Sequence, residues 1–272
     1  GRIYGFLGPN GAGKSTTMNI MTGYLGATEG EVIINGHDIL KEPEEAKRHI
    51  GYLPEQPPLY MDMTVREYLE FAAELKGIKK KQRAGQIAEV ENLVKIKDVE
   101  HRLFKNLSKG YRQRVGLAQA VLGFPEIIIL DEPSVGLDPK QIIEIRELIR
   151  KLAKNHTVIL SSHILAEVRE VCDYIIIISK GRLMASDTPE NLERMLGQQN
   201  VVEIEVKTSP LEVRRILKNV PGIERIEAQT AGNGVTKGSI HEKKGEDIRE
   251  NVFRAFASAG SPLLTLKVSG TT

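Results

Sequence analysis

Ile3-Tyr4-Gly5-Phe6-Leu7-Gly8-Pro9-Asn10-Gly11-Ala12-Gly13-Lys14-Ser15-Thr16 is the stretch from which the rest of the chain is read. The apolar run Ile3–Leu7 predicts a strand and the residues from Lys14 predict a helix, so Gly8–Ser15 is a strand-to-helix loop. Its spacing fits the phosphate-binding pattern Gly-x-x-x-x-Gly-Lys-Ser, and both flanking elements are those the pattern needs. Gly8, Gly11 and Gly13, with Pro9, Asn10 and Ala12 between them, let the backbone curl until successive N–H groups point inward. The following helix adds its positive end. Lys14 is then placed for the outer phosphates of a polyphosphate, the Ser15 hydroxyl for Mg²⁺, and Thr16 for the innermost phosphate.

Working outward, Ile127-Ile128-Ile129-Leu130-Asp131-Glu132 puts two carboxylates at the end of a buried strand, the edge of an open α/β sheet where ligands bind. Asp131 suits a Mg²⁺ contact and Glu132 the polarisation of an attacking water. His163 follows the strand run Val158–Ser161. Alone it reads as a structural histidine; beside two other strand ends it reads as a phosphate contact. Val32–Asn35, Ile50–Leu53 and Tyr174–Ile178 are further strands, and the non-alternating isoleucine runs predict central strands covered on both faces. Asp138 as N-cap and Pro139 as first residue open a helix over 139–155, with Ile142, Ile145, Leu148, Ile149 and Leu152 at helical spacing.

A mainly helical insertion is expected over about 55–123. Thr64 and Glu67 form a capping box for a helix reaching about Leu75. A second helix is expected over Gln82–Lys95, with Lys79, Lys80, Lys81 and Arg83 in a solvated turn before it. After Leu196, residues 197–200 read as a linker. Beyond it the strand runs Val201–Lys207, Ile223–Ala228, Thr236–Glu242 and Leu263–Val268 and the helical runs Leu211–Asn219 and Asp247–Ala259 give β-α-β-β-α-β order. The expected domains are therefore 1–196 and 201–272.

Composition sets the outer limits. In 272 residues, 38 Lys and Arg stand against 36 Asp and Glu, a net charge of +2, so no overall field draws nucleic acid or anionic lipid. The one cysteine, Cys172, excludes an internal disulfide and a cysteine-ligated metal; it reads as a small apolar residue on a helix after His163. No apolar run approaches the roughly 18 residues that cross a bilayer. The chain enters its first strand without a preceding Met, and a truncated N-terminus is expected.

The order of phosphate loop, Leu107-Ser108-Lys109-Gly110-Tyr111-Arg112-Gln113-Arg114, Asp131-Glu132, Ser134–Asp138 and His163 resembles the ATPase domains of ABC transporters over about residues 1–190. The stretch from Leu107 is its most specific part. The resemblance implies an α/β fold: a P-loop NTPase core with a helical subdomain, followed here by a small α+β ferredoxin-like domain. It implies ATP and Mg²⁺ as ligands. Glu132, His163 and Lys14 are the implied catalytic residues, the loop Gly8–Thr16 the nucleotide cradle, and Ser15, Asp131 and Glu55 the metal contacts. Ser108 reads as a helix N-cap, so that it and Gly110 face an anion; the resemblance makes that anion the γ-phosphate held by a second copy, with Asp138 communicating between the two sites.

Lys109 and Tyr111 stand where the commonest members carry Gly and Gln, a variant similar to the export-type ABC-2 branch. The segment Gly51–Tyr60 resembles the Q-loop, and an ungapped alignment puts Glu55 rather than Gln56 at its key position. The family's adenine-stacking aromatic lies upstream of the phosphate loop, outside this sequence. The implied partners are a second ATPase subunit, as a homodimer or a pair, and an integral membrane permease, with the chain in the cytoplasm at the inner face of the cell membrane. No nucleic-acid partner is expected. The rival reading, a soluble ABC-type ATPase acting on ribosomes or DNA, is disfavoured because the chain shows neither tandem cassettes nor a long coiled-coil insertion.

Overall fold

The apolar runs of the first unit assemble into one six-stranded sheet. The computed structural model describes residues 1–196, 201–232, 234–243 and 247–269, in two units, Gly1–Pro189 and Glu190–Thr272. In the first, β1 (Ile3–Leu7) leads into α1 (Lys14–Met21), and β2 (Ile33–Ile34) and β3 (His37–Asp38) form a small hairpin. Then come α2 (Pro43–Arg48), β4 (Ile50–Leu53), the insertion α3 (Val65–Leu75), α4 (Lys80–Leu93) and α5 (Lys109–Val121), and β5 (Ile127–Leu130). The unit is completed by α6 (Pro139–Leu152), β6 (Thr157–Ser162), α7 (Leu165–Val171), β7 (Tyr174–Ser179) and β8 (Arg182–Asp187).

The sheet runs β4-β5-β6-β1-β7-β8, parallel except for β8. Strands β5, β6 and β1 are therefore neighbours, and the loops leaving their C-terminal ends emerge together. Ile128, Ile129, Leu130 and Val158 have no exposed surface, as expected of strands covered on both faces. Close approach is built in at Gly51 on β4, where an added Cβ would lie 2.0 Å from the Ala120 carbonyl oxygen of α5. The insertion is thus seated directly on the sheet edge.

Within the insertion the capping box is formed: Thr64 Oγ1 accepts from Glu67 N (3.2 Å) while Glu67 Oε2 accepts from Thr64 N (2.8 Å). Lys76, at the end of α3, donates to the carbonyls of Ala120 (3.1 Å) and Leu122 (2.6 Å), satisfying the last turn of α5. Lys76 is half-buried, and burial pushes its ammonium down to about 8.

The structure corrects several expectations. Lys80, Lys81 and Arg83 belong to α4, not to a turn: lysine and arginine are good helix formers, and Arg83 is held by the Ile78 carbonyl (2.8 Å) and Glu74 (3.2 Å). The expected strand over 32–35 shrinks to two residues, because Asn35 and Gly36 take left-handed backbone and turn the chain. Strand β8 was not expected; its signal is the turn Lys180-Gly181, left-handed at both residues, which reverses the chain into a hairpin with β7. Helix α6 ends at Leu152, and Cys172 is the C-cap residue of α7, buried, with its thiol pushed up to about 12 by that burial.

The second unit comprises α8 (Pro189–Leu196), β9 (Val201–Val206), α9 (Pro210–Leu217), β10 (Ile223–Gly232), β11 (Val235–Glu242), α10 (Arg249–Ser258) and β12 (Leu263–Ser269). From β9 onward the order is β-α-β-β-α-β and the antiparallel sheet runs β10-β11-β9-β12. Val202, Ile204 and Val206 on β9 pack with Val213, Leu217, Val252 and Phe256, while Glu203 and Glu205 between them pair with Lys267 and Lys237, each at 2.8 Å. The linker expected at 197–200 lies outside the described residues.

Candidate functional site

Three strand ends build the site. The loop after β1 turns through Gly11 (φ 77°) and Gly13 (φ 106°), and Gly13 is the N-cap of α1. At those angles an L side chain is strained, so glycine is required by the backbone itself. Lys14 folds back over the loop: its ammonium donates to the carbonyls of Gly8 (2.8 Å) and Pro9 (3.3 Å) and lies 3.4 Å from Glu132 Oε1. The loop is also held from outside, since Gly181 N–H in the β7–β8 turn donates to the Ala12 carbonyl (2.9 Å).

The loop after β5 carries both carboxylates, each nearly fully buried. Glu132 takes a left-handed backbone (φ 47°), an uncommon conformation for a residue with a side chain and one that clusters at functional sites. Its Oε2 lies 3.0 Å from His163 Nδ1, at the end of β6. Both carboxylates are fixed by a residue the sequence reading did not single out. Ser161 Oγ accepts the Glu132 backbone N–H (2.8 Å) and donates to Asp131 Oδ1 (2.5 Å), with no exposed surface of its own. Glu167 was missed as well: it accepts from Ser134 Oγ (2.6 Å) and Ser162 Oγ (3.3 Å), tying the loop after Glu132 to the one after β6.

These groups share a cleft of about 480 Å³ lined by Asn10, Gly11, Gly13, Lys14, Ser15, Thr16, Glu55, Glu132, Val135 and His163. Ser15, Glu55, Gln56 and Asp131 line a second cleft of about 810 Å³. Glu55 therefore borders both, and Gln56 only the larger. Tyr52 lies on that side too, its hydroxyl donating to Asn19 Oδ1 (3.2 Å), and burial followed by the Asp131 charge pushes its phenol up to about 12. Ser108, Gly110 and Asp138 are elsewhere. Ser108 Oγ caps Tyr111 N, Asp138 Oδ1 caps Gln141 N, and the three line a polar cleft of about 440 Å³ that shares no residue with the phosphate-loop cleft.

Comparison with known proteins settles the kinship. Residues 1–135 match the family model described as ABC transporter. The chain is 38% identical over 244 residues to an uncharacterized ABC transporter ATP-binding protein, YhcH, of Bacillus subtilis, covering 82% of this chain and 78% of that one. The chain belongs to the ABC transporter family of ATP-binding proteins. Another relative, 42% identical over 196 residues, is the bacitracin transport ATP-binding protein BcrA of Bacillus licheniformis; there the match covers 71% of this chain and 63% of BcrA. Among solved structures, one described as an ATP binding subunit of an ABC transporter superposes with TM-score 0.65 at 32% identity, covering 72% of this chain and 82% of that one. A dimeric ATP-binding cassette, MJ0796, bound to ADP and Pi superposes with TM-score 0.63 at 27% identity, covering 69% and 85%.

The residues present fit the ligand of an ABC ATPase. The glycine-bent loop, the start of α1 and the Lys14 ammonium could hold phosphate oxygens. Among the described residues no three His, Cys, Asp or Glu side chains are grouped to hold a metal. The Ser15 hydroxyl and the Asp131 carboxylate, with phosphate oxygens, suit Mg²⁺, which keeps few protein ligands. No helix of the described residues is long and apolar enough to cross a membrane.

Proposed function

We propose that this chain is the ATP-hydrolysing subunit of an exporter, pairing with a second copy around two Mg-ATP and driving a separate membrane-spanning permease from the cytoplasmic face. The observation that carries the reading is the division of labour between clefts. Lys14, Glu132 and His163 line one, and Ser108 and Gly110 line another at the start of α5, with no residue in common. A second copy supplies the missing half: the phosphate loop of one chain faces the Ser108 end of the other. The dimeric MJ0796 cassette with ADP and Pi supports pairing in this family. BcrA, a bacitracin transport ATP-binding protein, supports a role in transport, and Lys109 and Tyr111 in the α5 motif, similar to the export-type branch, support the direction.

In this reading Lys14 exchanges the Gly8 and Pro9 carbonyls for phosphate oxygens, and Ser15 and Asp131 would hold the cation. Bound Mg²⁺ supplies neutralisation of the phosphate charge. Glu132, oriented by His163 and by the Ser161 bond to its own N–H, takes a proton from the attacking water. Ser108 and Gly110 steady the terminal phosphate from across the interface, and its release lets the pair separate. Domains 1–196 and 201–272 divide the work: the first binds and hydrolyses nucleotide, with the insertion over about 55–123 passing motion to the permease.

The test is Glu132→Gln in the complete protein. ATP binding is retained, turnover falls at least a hundredfold, in the range seen when a catalytic group is removed, and Mg-ATP converts the monomer to a stable dimer in light scattering. Turnover at the parent rate removes Glu132 from its role. Absence of an ATP-dependent dimer removes the pairing.

A further inference from the structure

The start of α5 meets both the loop that follows Glu132 and the first turn of α6 beyond it, through one long side chain in each direction. Lys109 reaches across Gly136, where an added Cβ would lie 3.3, 2.8 and 1.9 Å from its Cδ, Cε and Nζ. In return the Gln141 amide lies against Gly110, where a Cβ would meet Cδ, Nε2 and Oε1 at 2.7, 2.8 and 2.8 Å. Lys109 of α5 thus covers a glycine of the loop, and Gln141 of α6 covers a glycine of α5.

The two glycines differ in a useful way. Gly136 has φ 71° and needs to be glycine for its backbone alone. Gly110 sits in the first turn of α5 with helical backbone, so a methyl group there suits the conformation, and its nearest neighbours are the movable end of Gln141. The grip can thus be opened at Gly110 without damaging the fold.

Little slack separates the grip from the carboxylate. Val135 N–H donates to the Glu132 carbonyl (3.1 Å), Leu137 N–H to the Ser134 carbonyl (3.2 Å), and Ser134 Oγ to Glu167 (2.6 Å). On the other side Lys109 directly follows Ser108.

We infer that Lys109 and Gln141 are positioning residues that lock Ser108–Gly110 to the Glu132 loop of the same chain, so that both ends of the chemistry move as one body. Lys109 acts by its length: both it and Gly136 are exposed, and its Cδ, Cε and Nζ fill the place a Gly136 Cβ would take. Glu132 as the hydrolytic carboxylate is assumed only for the kinetic half of the test below.

The first half is hydrogen exchange on the complete protein without nucleotide, read in peptides covering 108–114 and 133–144. Lys109→Ala and Gln141→Ala each speed exchange in both peptides, and Lys109→Met restores the parent pattern. Acceleration confined to the substituted peptide, or a Lys109→Met variant as loose as Lys109→Ala, overturns the inference. The second half is ATP turnover. Gln141→Ala and Gly110→Ala each lower kcat roughly three- to tenfold with KM unchanged, and the double variant falls no further, because both open one contact. Additive losses assign Gly110 to anion contact alone and also overturn it. A parent protein without turnover overturns the hydrolytic reading instead, and the exchange result still decides the grip.

Discussion

Replacing Ser161 with alanine strikes the point where both carboxylates are held. The substitution deletes one hydrogen bond from the Glu132 N–H and one to the Asp131 carboxylate, and strands both partners in a buried place. A neutral bond contributes about 1 kcal/mol and one to a charged group about 1.5–3 kcal/mol, so the loss is roughly 3 kcal/mol. For a unit of this size that lowers Tm by about 6–12 °C. The effect does not end with stability. Glu132 is kept in its left-handed conformation partly by that bond, and freeing it lets the backbone relax toward an ordinary region, carrying the carboxylate away from His163. The expected drop in kcat is roughly tenfold to a hundredfold, with a smaller change in KM. Urea or thermal unfolding and steady-state phosphate release, on the same preparations, measure both. A variant less than about 0.5 kcal/mol below the parent, turning over at the parent rate, refutes the assignment of Ser161 as the brace of the pair.

Lys14→Ala is expected to weaken ATP binding at least tenfold while leaving the fold intact, checked by calorimetric titration and circular dichroism; unchanged affinity counts against the cradle. Thr64→Ala removes the capping box and costs about 1 kcal/mol in urea unfolding, with turnover unaffected. Lys76 gives a pH signature. Its ammonium titrates near 8 when folded against 10.5 as the ordinary value, so the unfolded chain binds more protons between those limits. Stability of the parent relative to Lys76→Met therefore rises between pH 8 and 10.5 and is level below pH 8; a flat difference across that window shows the ammonium is not enclosed.

Much of the site was legible because its chemistry is contiguous with strong local signals. Gly8–Ser15 lies between a strand run and a helix, Asp131 and Glu132 end an isoleucine run, and His163 ends another. Parallel pairing then brings the three ends together, which a strand-end reading foresees. Ser161 escaped notice because a serine inside a strand carries no spacing of its own; only the neighbouring strand β5 gives it a purpose. Lys80, Lys81 and Arg83 were misread since a run of cations looks equally wet in a turn and on a helix, and the choice was made by Glu74 and a carbonyl at Ile78. The grip of Lys109 and Gln141 is invisible in sequence, for it depends on each long side chain meeting a glycine distant in the chain.

The bond from Gly181 to Ala12 has a practical consequence for anyone remodelling this protein. A two-residue surface turn such as Lys180-Gly181 is where a tag, a fluorophore or a grafted loop is usually inserted, since exposed turns tolerate extra length. Here the turn is the outer hook of the loop between β1 and α1, so lengthening it unfastens a segment far away in the sequence. Cargo is better carried elsewhere on the surface, on turns with no such duty.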